Sequence, residues 1–224
     1  MSRAERSLPP ARVYRIIPDE RFQRLTVRAG PDAGEQTLFT ADRIDTANPR
    51  FSARVVNPGA RAGRLWYVEG GAIAVRPDRE KPPLTVDVPV LGLSVSQPHQ
   101  STRHPGCDAI QGPLEMAGQL LPLTLDGGEL ILLNVLECIN CLDRANTLWL
   151  DGPSSGPDAR IARYVFHSNR FIVSSIFKIP ETCASEVLVV ERFGDPEEEF
   201  KAGVERAGIG GIAFELLWQQ DGGD

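Results

Sequence analysis

The residue types best suited to chemistry lie in the second half of this 224-residue chain, where Cys138-Ile139-Asn140-Cys141 forms a C-x-x-C. Two thiols at that spacing serve as a redox couple or as half of a zinc site. A second ligand pair is missing: Cys107 and Cys183 stand alone, and His99, His104 and His167 complete no structural zinc spacing. Free cysteine otherwise behaves as a small hydrophobe, so both thiols are expected to pack, with no metal and no cofactor. His99 and His104 sit in a polar loop, where an imidazole acts as acid or base or is simply solvated. Glu137 and Asp143 are a carboxylate pair of the kind used in general acid-base work, but no pocket around them can be read. Gly208-Ile209-Gly210-Gly211 follows a helical pattern instead of joining strand to helix, which suits a cap and turn better than a phosphate loop. No set of groups visibly converges, and the expectation is that the protein is not an enzyme.

Composition bounds the remaining choices. A hydrophobic fraction of 42% and a charged fraction of 24% are those of an ordinary folded domain, and four cysteines are too few for a disulfide scaffold. No apolar run reaches the roughly 18–20 residues of a membrane span, and no secretory h-region follows the arginines of the first eleven residues. A cytoplasmic protein is expected, with no membrane contact. The net charge is −6, but residues 1–100 carry 15 basic and 11 acidic side chains, whereas residues 101–224 carry 9 and 19. That asymmetry argues against a general nucleic-acid binder and leaves the acidic second half suited to a basic partner or to solubility alone. The excess of arginine over lysine carries no functional information.

The elements that must position these residues are short. Twenty-one glycines and 18 prolines favour turns and strands over long helices. Residues 1–10 read as a flexible tail. Alternating or apolar segments at Arg12–Ile17, Phe22–Val27, Arg54–Val56, Arg64–Val68 and Ala72–Val75 predict a β-rich N-terminal lobe over 11–97. A polar junction at 98–106 and a second lobe over 107–220 follow. Within the latter, Glu129–Leu136 predicts a central strand buried on both faces, with shorter strands at Arg163–Phe166, Phe171–Val173, Ile176–Pro180 and Glu186–Val190. Asp195-Pro196-Glu197-Glu198-Glu199 predicts a helix N-terminus, with Asp195 as cap, Phe200, Val204 and Ala207 as its buried stripe, and Gly208 ending it. A closing strand places Ile212, Phe214, Leu216 and Trp218 on one face. The fold class is therefore α+β, mostly antiparallel sheet with few short helices, one of them amphipathic and near the C-terminus.

Three blocks of the second half resemble the bacterial polymorphic-toxin immunity proteins of family eleven, formerly a domain of unknown function. They are Asn134-Val135-Leu136-Glu137-Cys138-Ile139-Asn140-Cys141-Leu142-Asp143, then Ile176-Phe177-Lys178-Ile179-Pro180-Glu181, then Gly208 through Trp218, in the family's order. Arg144-Ala145-Asn146-Thr147 departs from the acidic or serine-containing continuation common in the family. The resemblance implies a protein that binds a cognate toxin domain, such as a basic nuclease, and occludes its functional surface; it brings no catalytic residues. Alternatives are a small metal- or thiol-dependent hydrolase and a non-catalytic β-rich interaction module.

Candidate partner-binding residues are Glu197, Glu198 and Glu199, whose carboxylates suit a basic surface, and Trp149 and Trp218, aromatics of the type that anchors interfaces. His99 and His104 of the polar loop complete the set.

Overall fold

The computed structural model describes residues 10–30, 39–44, 51–77, 108–150, 160–171, 174–192 and 197–220. Six strands close into a barrel: β2 (Leu25–Ala29), β3 (Phe51–Val55), β4 (Leu65–Val68), β5 (Ala72–Val75), β6 (Gly118–Leu125) and β7 (Gly128–Val135), in the order β2-β3-β6-β7-β5-β4. A four-stranded sheet forms beside it from β1 (Arg12–Pro18), β10 (Ile176–Phe177), β11 (Leu188–Glu191) and β12 (Ile212–Gln219), in the order β10-β11-β1-β12. A separate two-stranded ribbon pairs β8 (Leu148–Trp149) with β9 (Ile161–Arg163). Two helices, α1 (Asp108–Ala117) and α2 (Phe200–Arg206), complete the set among the described residues. Among the described strands, β2 with β4 and β3 with β6 pair in parallel and the other strand pairs are antiparallel, the predominant arrangement the sequence predicts. None of the described helices is long and apolar enough to cross a membrane.

Period-two alternation divides the barrel strands between two cores. Leu130 and Leu132 of β7, Ala72 and Ala74 of β5 and Trp66 of β4 join Leu25, Val27, Phe51, Leu121 and Leu123 in a cluster fed by all six strands, which is the barrel interior. Their neighbours Ile131, Leu133, Ile73, Val75 and Leu65 face outward onto Phe200 and Val204 of α2, Ile110 and Leu114 of α1, and Ile16 and Val189 of the sheet. The continuous apolar run in β7 is thus the signature of a strand covered on both faces. The opposite face of the sheet carries a third cluster: Val13, Leu188, Val190 and Phe177 pack on Cys141, Leu142, Tyr164, Phe166 and Phe171.

The junction expected at 98–106 lies outside the described residues; β6 and β7 close a barrel begun by β2–β5, and β1 joins a sheet of C-terminal strands. Other expectations are corrected. The C-terminal helix starts at Phe200, not at Pro196: Glu199 is extended (φ −106°, ψ 116°), and Glu197 and Glu198 lie in a turn ahead of it. Asp195 and Pro196 fall outside the described residues. The first helical N–H, that of Phe200, donates to Ser175 Oγ at 3.1 Å, so a tertiary contact does the capping. The helix ends as predicted at Gly208 (φ 61°), whose N–H donates to the Glu205 carbonyl, while that of Ile209 donates to Val204.

The alternation of β12 is interrupted as well. Val13 pairs with Trp218 and the next residue, Tyr14, with Leu216, so Leu217 is an inserted bulge residue. Leu216 is consequently 52% exposed, while Leu217 and Trp218 pack on the third cluster. Helix α1 and strand β6 are not among the elements the sequence predicts, and each contains a proline, Pro113 and Pro122. Pro113 has no N–H to give the Ala109 carbonyl, and Gly203 of α2 lies against that same oxygen, where a Cβ would come within 2.5 Å.

Candidate functional site

The β8–β9 ribbon rises from a fixed root. Asp143 N donates to the Val165 carbonyl at 2.8 Å, and Leu142 bridges Phe166. The Asp143 carboxylate accepts from the Ala145 and Asn146 N–H groups at 3.2 Å and from Asn146 Nδ2 at 2.8 Å. These bonds, the Asn146 side chain foremost, hold its pKa below the ordinary carboxylate value. Asp143 therefore organises a turn. Arg144 pairs with buried Glu181 at 2.9 Å and lies over the Trp149 ring at 5.4 Å, and Trp149 Nε1 donates back to the Arg144 carbonyl. Beyond this root the strand alternates: Trp149 turns inward onto the third cluster, and Leu148 and Leu150 are 57% and 56% exposed. Sequence reasoning selects Trp149; the groups the ribbon presents outward are the leucines on either side, which the short L-W-L alternation alone would have indicated.

The other candidate residues separate in space. Glu198 and Glu197 are exposed, but Glu199 is buried, and its carboxylate accepts the Arg192 N–H at 2.9 Å, which removes it from any partner-facing patch. Trp218 is half-buried in an aromatic cluster, edge-on to Phe166 at 5.8 Å and tilted against Phe171 at 6.5 Å. His99 and His104 lie outside the described residues.

The C-x-x-C splits by environment. Cys141 is fully buried, and desolvation pushes its thiol up to about 12, so it packs as expected. Cys138 is exposed, contrary to that expectation, and both are free thiols. Among the described residues no group of three or more His, Cys, Asp or Glu side chains is placed to hold a metal ion. Cys138 instead borders Lys178, whose main chain pairs with it. Lys178 is completely buried, its ammonium donates to the Phe39 and Cys183 carbonyls, and desolvation lowers its pKa to about 8.

One further constellation has no counterpart in the sequence reading. A cleft of about 630 Å³ opens where the turn after β1, the loop before β4, the end of β5 and the α2–β12 loop meet, and Arg21, Arg61, Arg64 and Arg76 line it. Glycines permit this meeting: the Arg64 and Leu65 N–H groups both donate to the Gly210 carbonyl, and a Cβ on Gly210 would lie 2.2 Å from the Phe22 ring. Asp19 takes Arg21 through two bonds, at 2.9 and 2.7 Å, and that pairing above all holds its carboxyl below the ordinary carboxylate value. Arg61 lies over the Phe22 ring at 4.2 Å and Arg76 over Trp66 at 5.0 Å. Spread over residues 21–76, these arginines show no local motif, and only the fold collects them.

No protein-family model matches the chain, and no curated protein matches it.

Proposed function

We propose that the chain is a binding protein of the immunity type, which captures a cognate toxin domain and neutralises it by covering its functional surface. The observation that carries this reading is the pair of exposed leucines, Leu148 and Leu150, on a ribbon whose root is fixed by the Asp143 turn and the Arg144–Glu181 pair. Apolar side chains presented on a preorganised element lose little further freedom on binding, and their burial against a partner is favourable. The three motif blocks and the acidic second half support a basic toxin domain as the partner, with exposed Glu198 acting on encounter.

The test is co-expression with the toxin-like product of a reading frame adjoining this gene. Wild type rescues growth; Leu148→Asp with Leu150→Asp does not, although it folds. Failure of rescue by folded wild type ends the toxin reading, and rescue by the folded double variant removes the ribbon from the interface.

A further inference from the structure

Cys138, Cys141 and Cys183 are free thiols, and backbone alternation sorts them between two faces. Phe177 and Ile179 both pack in the third cluster, so Lys178 between them points the other way, where its ammonium meets the carbonyls of Phe39 and Cys183. Cys138 bridges Lys178 in parallel: the Lys178 N–H donates to the Glu137 carbonyl and the Ile139 N–H to the Lys178 carbonyl, both at 2.8 Å. Residues opposite one another in a ladder share a face, and Ile139, next in the chain, packs on the third cluster. The Cys138 side chain therefore lies on the Lys178 side, and the Lys178 ammonium reaches the Cys183 carbonyl at 2.9 Å. The turn that carries Cys183 is itself fixed, since the Ser185 and Glu186 N–H groups donate to the Thr182 carbonyl at 3.0 and 2.9 Å. Cys141 is on the opposite face, fully buried in the third cluster.

We propose that Cys138 and Cys183, and not the C-x-x-C pair, form an oxidation-sensitive couple, which hydrogen peroxide closes into a disulfide that clamps the root of the β8–β9 ribbon. Cys138 is exposed and meets the oxidant; Cys183 is partly exposed and resolves it. The Cys138 thiolate attacks the peroxide O–O bond, giving a sulfenic acid and, with the thiol proton, one water. The Cys183 thiolate then attacks the sulfenic sulfur, the S–S bond forms, and the displaced hydroxide leaves with the Cys183 proton as a second water. Two thiols are thus oxidised and one peroxide is reduced. Both thiols act electrostatically on the Lys178 ammonium and on each other, as groups on one face must. Burial pushes the Cys138 thiol up, and the ammonium opposes that rise. The new bond spans two loops already joined by the Arg144–Glu181 pair at 2.9 Å, with Glu181 two residues before Cys183. A covalent link across the same gap restrains the segment from which the ribbon rises. The inference does not depend on what the ribbon binds.

Treatment of the folded full chain with hydrogen peroxide, followed by alkylation and non-reducing tandem mass mapping of its peptides, tests the couple; fragmentation between Cys138 and Cys141 assigns the linked sulfur. A peptide joined through Cys138 and Cys183 accumulates and dithiothreitol reverses it, while Cys141 is alkylated only after denaturation. In Cys183→Ser, dimedone traps Cys138 as the sulfenic acid, because the resolving thiol is gone. Amide hydrogen exchange over residues 143–149 of the wild-type protein slows severalfold on oxidation and recovers on reduction. All readouts but the dimedone trap use the wild-type chain, so the outcome stands even when the variant does not fold. A Cys138–Cys141 bond in the folded protein, linkage of Cys138 to any other thiol, no linkage under peroxide, or exchange at 143–149 that oxidation leaves unchanged each overturns it.

Discussion

The ammonium of Lys178, at the end of β10, donates to the main-chain carbonyl of Phe39, whose ring packs inside the barrel, so one buried side chain bonds the sheet to the barrel core. A second bond at 2.9 Å reaches the Cys183 carbonyl, and Gly71 leaves the space the ammonium occupies, since a Cβ there would lie 3.3 Å from Nζ. The charge is compensated by carbonyl dipoles, and the thiols of Cys138 and Cys183 are the ionisable groups acting on it.

This arrangement gives a pH signature of definite sign. The folded pKa, about 8, lies below the unfolded value of 10.5, so between these limits the unfolded chain binds the extra proton and stability rises with pH. Lys178→Met removes that rise along with the two bonds. The stability gap between wild type and variant widens from pH 7.5 to pH 10.5 by roughly 2–3 kcal/mol, the free-energy equivalent of the displacement. Cys141, with its folded thiol raised to about 12, lowers stability with pH above its ordinary range in both proteins and cancels in the comparison. Urea melts of both proteins across this range measure the gap; a constant gap refutes the assignment.

Much of the fold was legible because its signals are local. Alternation at Arg12–Ile17, Arg64–Val68 and Ala72–Val75 and the apolar run of β7 correspond to observed strands, and Gly208 ends its helix with positive φ. Features decided by tertiary contact were not. The start of α2 depends on Ser175 capping Phe200, Pro113 is accepted in α1 where Gly203 approaches, and the Leu217 bulge turns Leu216 outward. Of the predicted site, Glu198 remains exposed, whereas Glu199 is buried and Trp218 half-buried through contacts that no local pattern announces.

Gly208 and Gly211 are needed for different reasons, and alanine separates them. Gly208 has φ 61° with no atom within 4 Å of a Cβ, so Gly208→Ala costs about 1–2 kcal/mol of backbone strain. At Gly211, φ is 131° and a Cβ would lie 1.6 Å from the Leu65 carbonyl oxygen, a backbone atom held in β4. Gly211→Ala should therefore displace the α2–β12 loop and destabilise the fold by several times as much. Thermal melts of the two variants rank them, and equal losses contradict this geometry.

Glu199 and Glu198 are neighbours with unlike roles. Glu199→Ala leaves the Arg192 N–H without the acceptor now 2.9 Å away and costs about 1–3 kcal/mol. Glu198→Lys, at an exposed position, changes stability by no more than about 0.5 kcal/mol. Chemical denaturation distinguishes them; comparable losses would place both carboxylates in the fold.

The ribbon supplies a separation of stability from binding. Leu148 and Leu150 are more than half exposed, so Leu148→Asp with Leu150→Asp shifts the free energy of unfolding by about 0.5 kcal/mol or less per site. Trp149 faces the other way, packs on the third cluster and lies under Arg144, so Trp149→Ala destabilises by roughly 1–3 kcal/mol, the scale of a partly buried aromatic. Against the cognate toxin domain, the leucine variant raises the dissociation rate, because apolar anchors act after encounter. Glu198→Lys instead slows association at low salt and loses that effect as salt screens the charge. Surface plasmon resonance at two salt concentrations, beside melts of the same variants, reads both behaviours. A leucine variant that binds like wild type while the tryptophan variant loses binding in proportion to its lost stability would show that the ribbon serves folding alone.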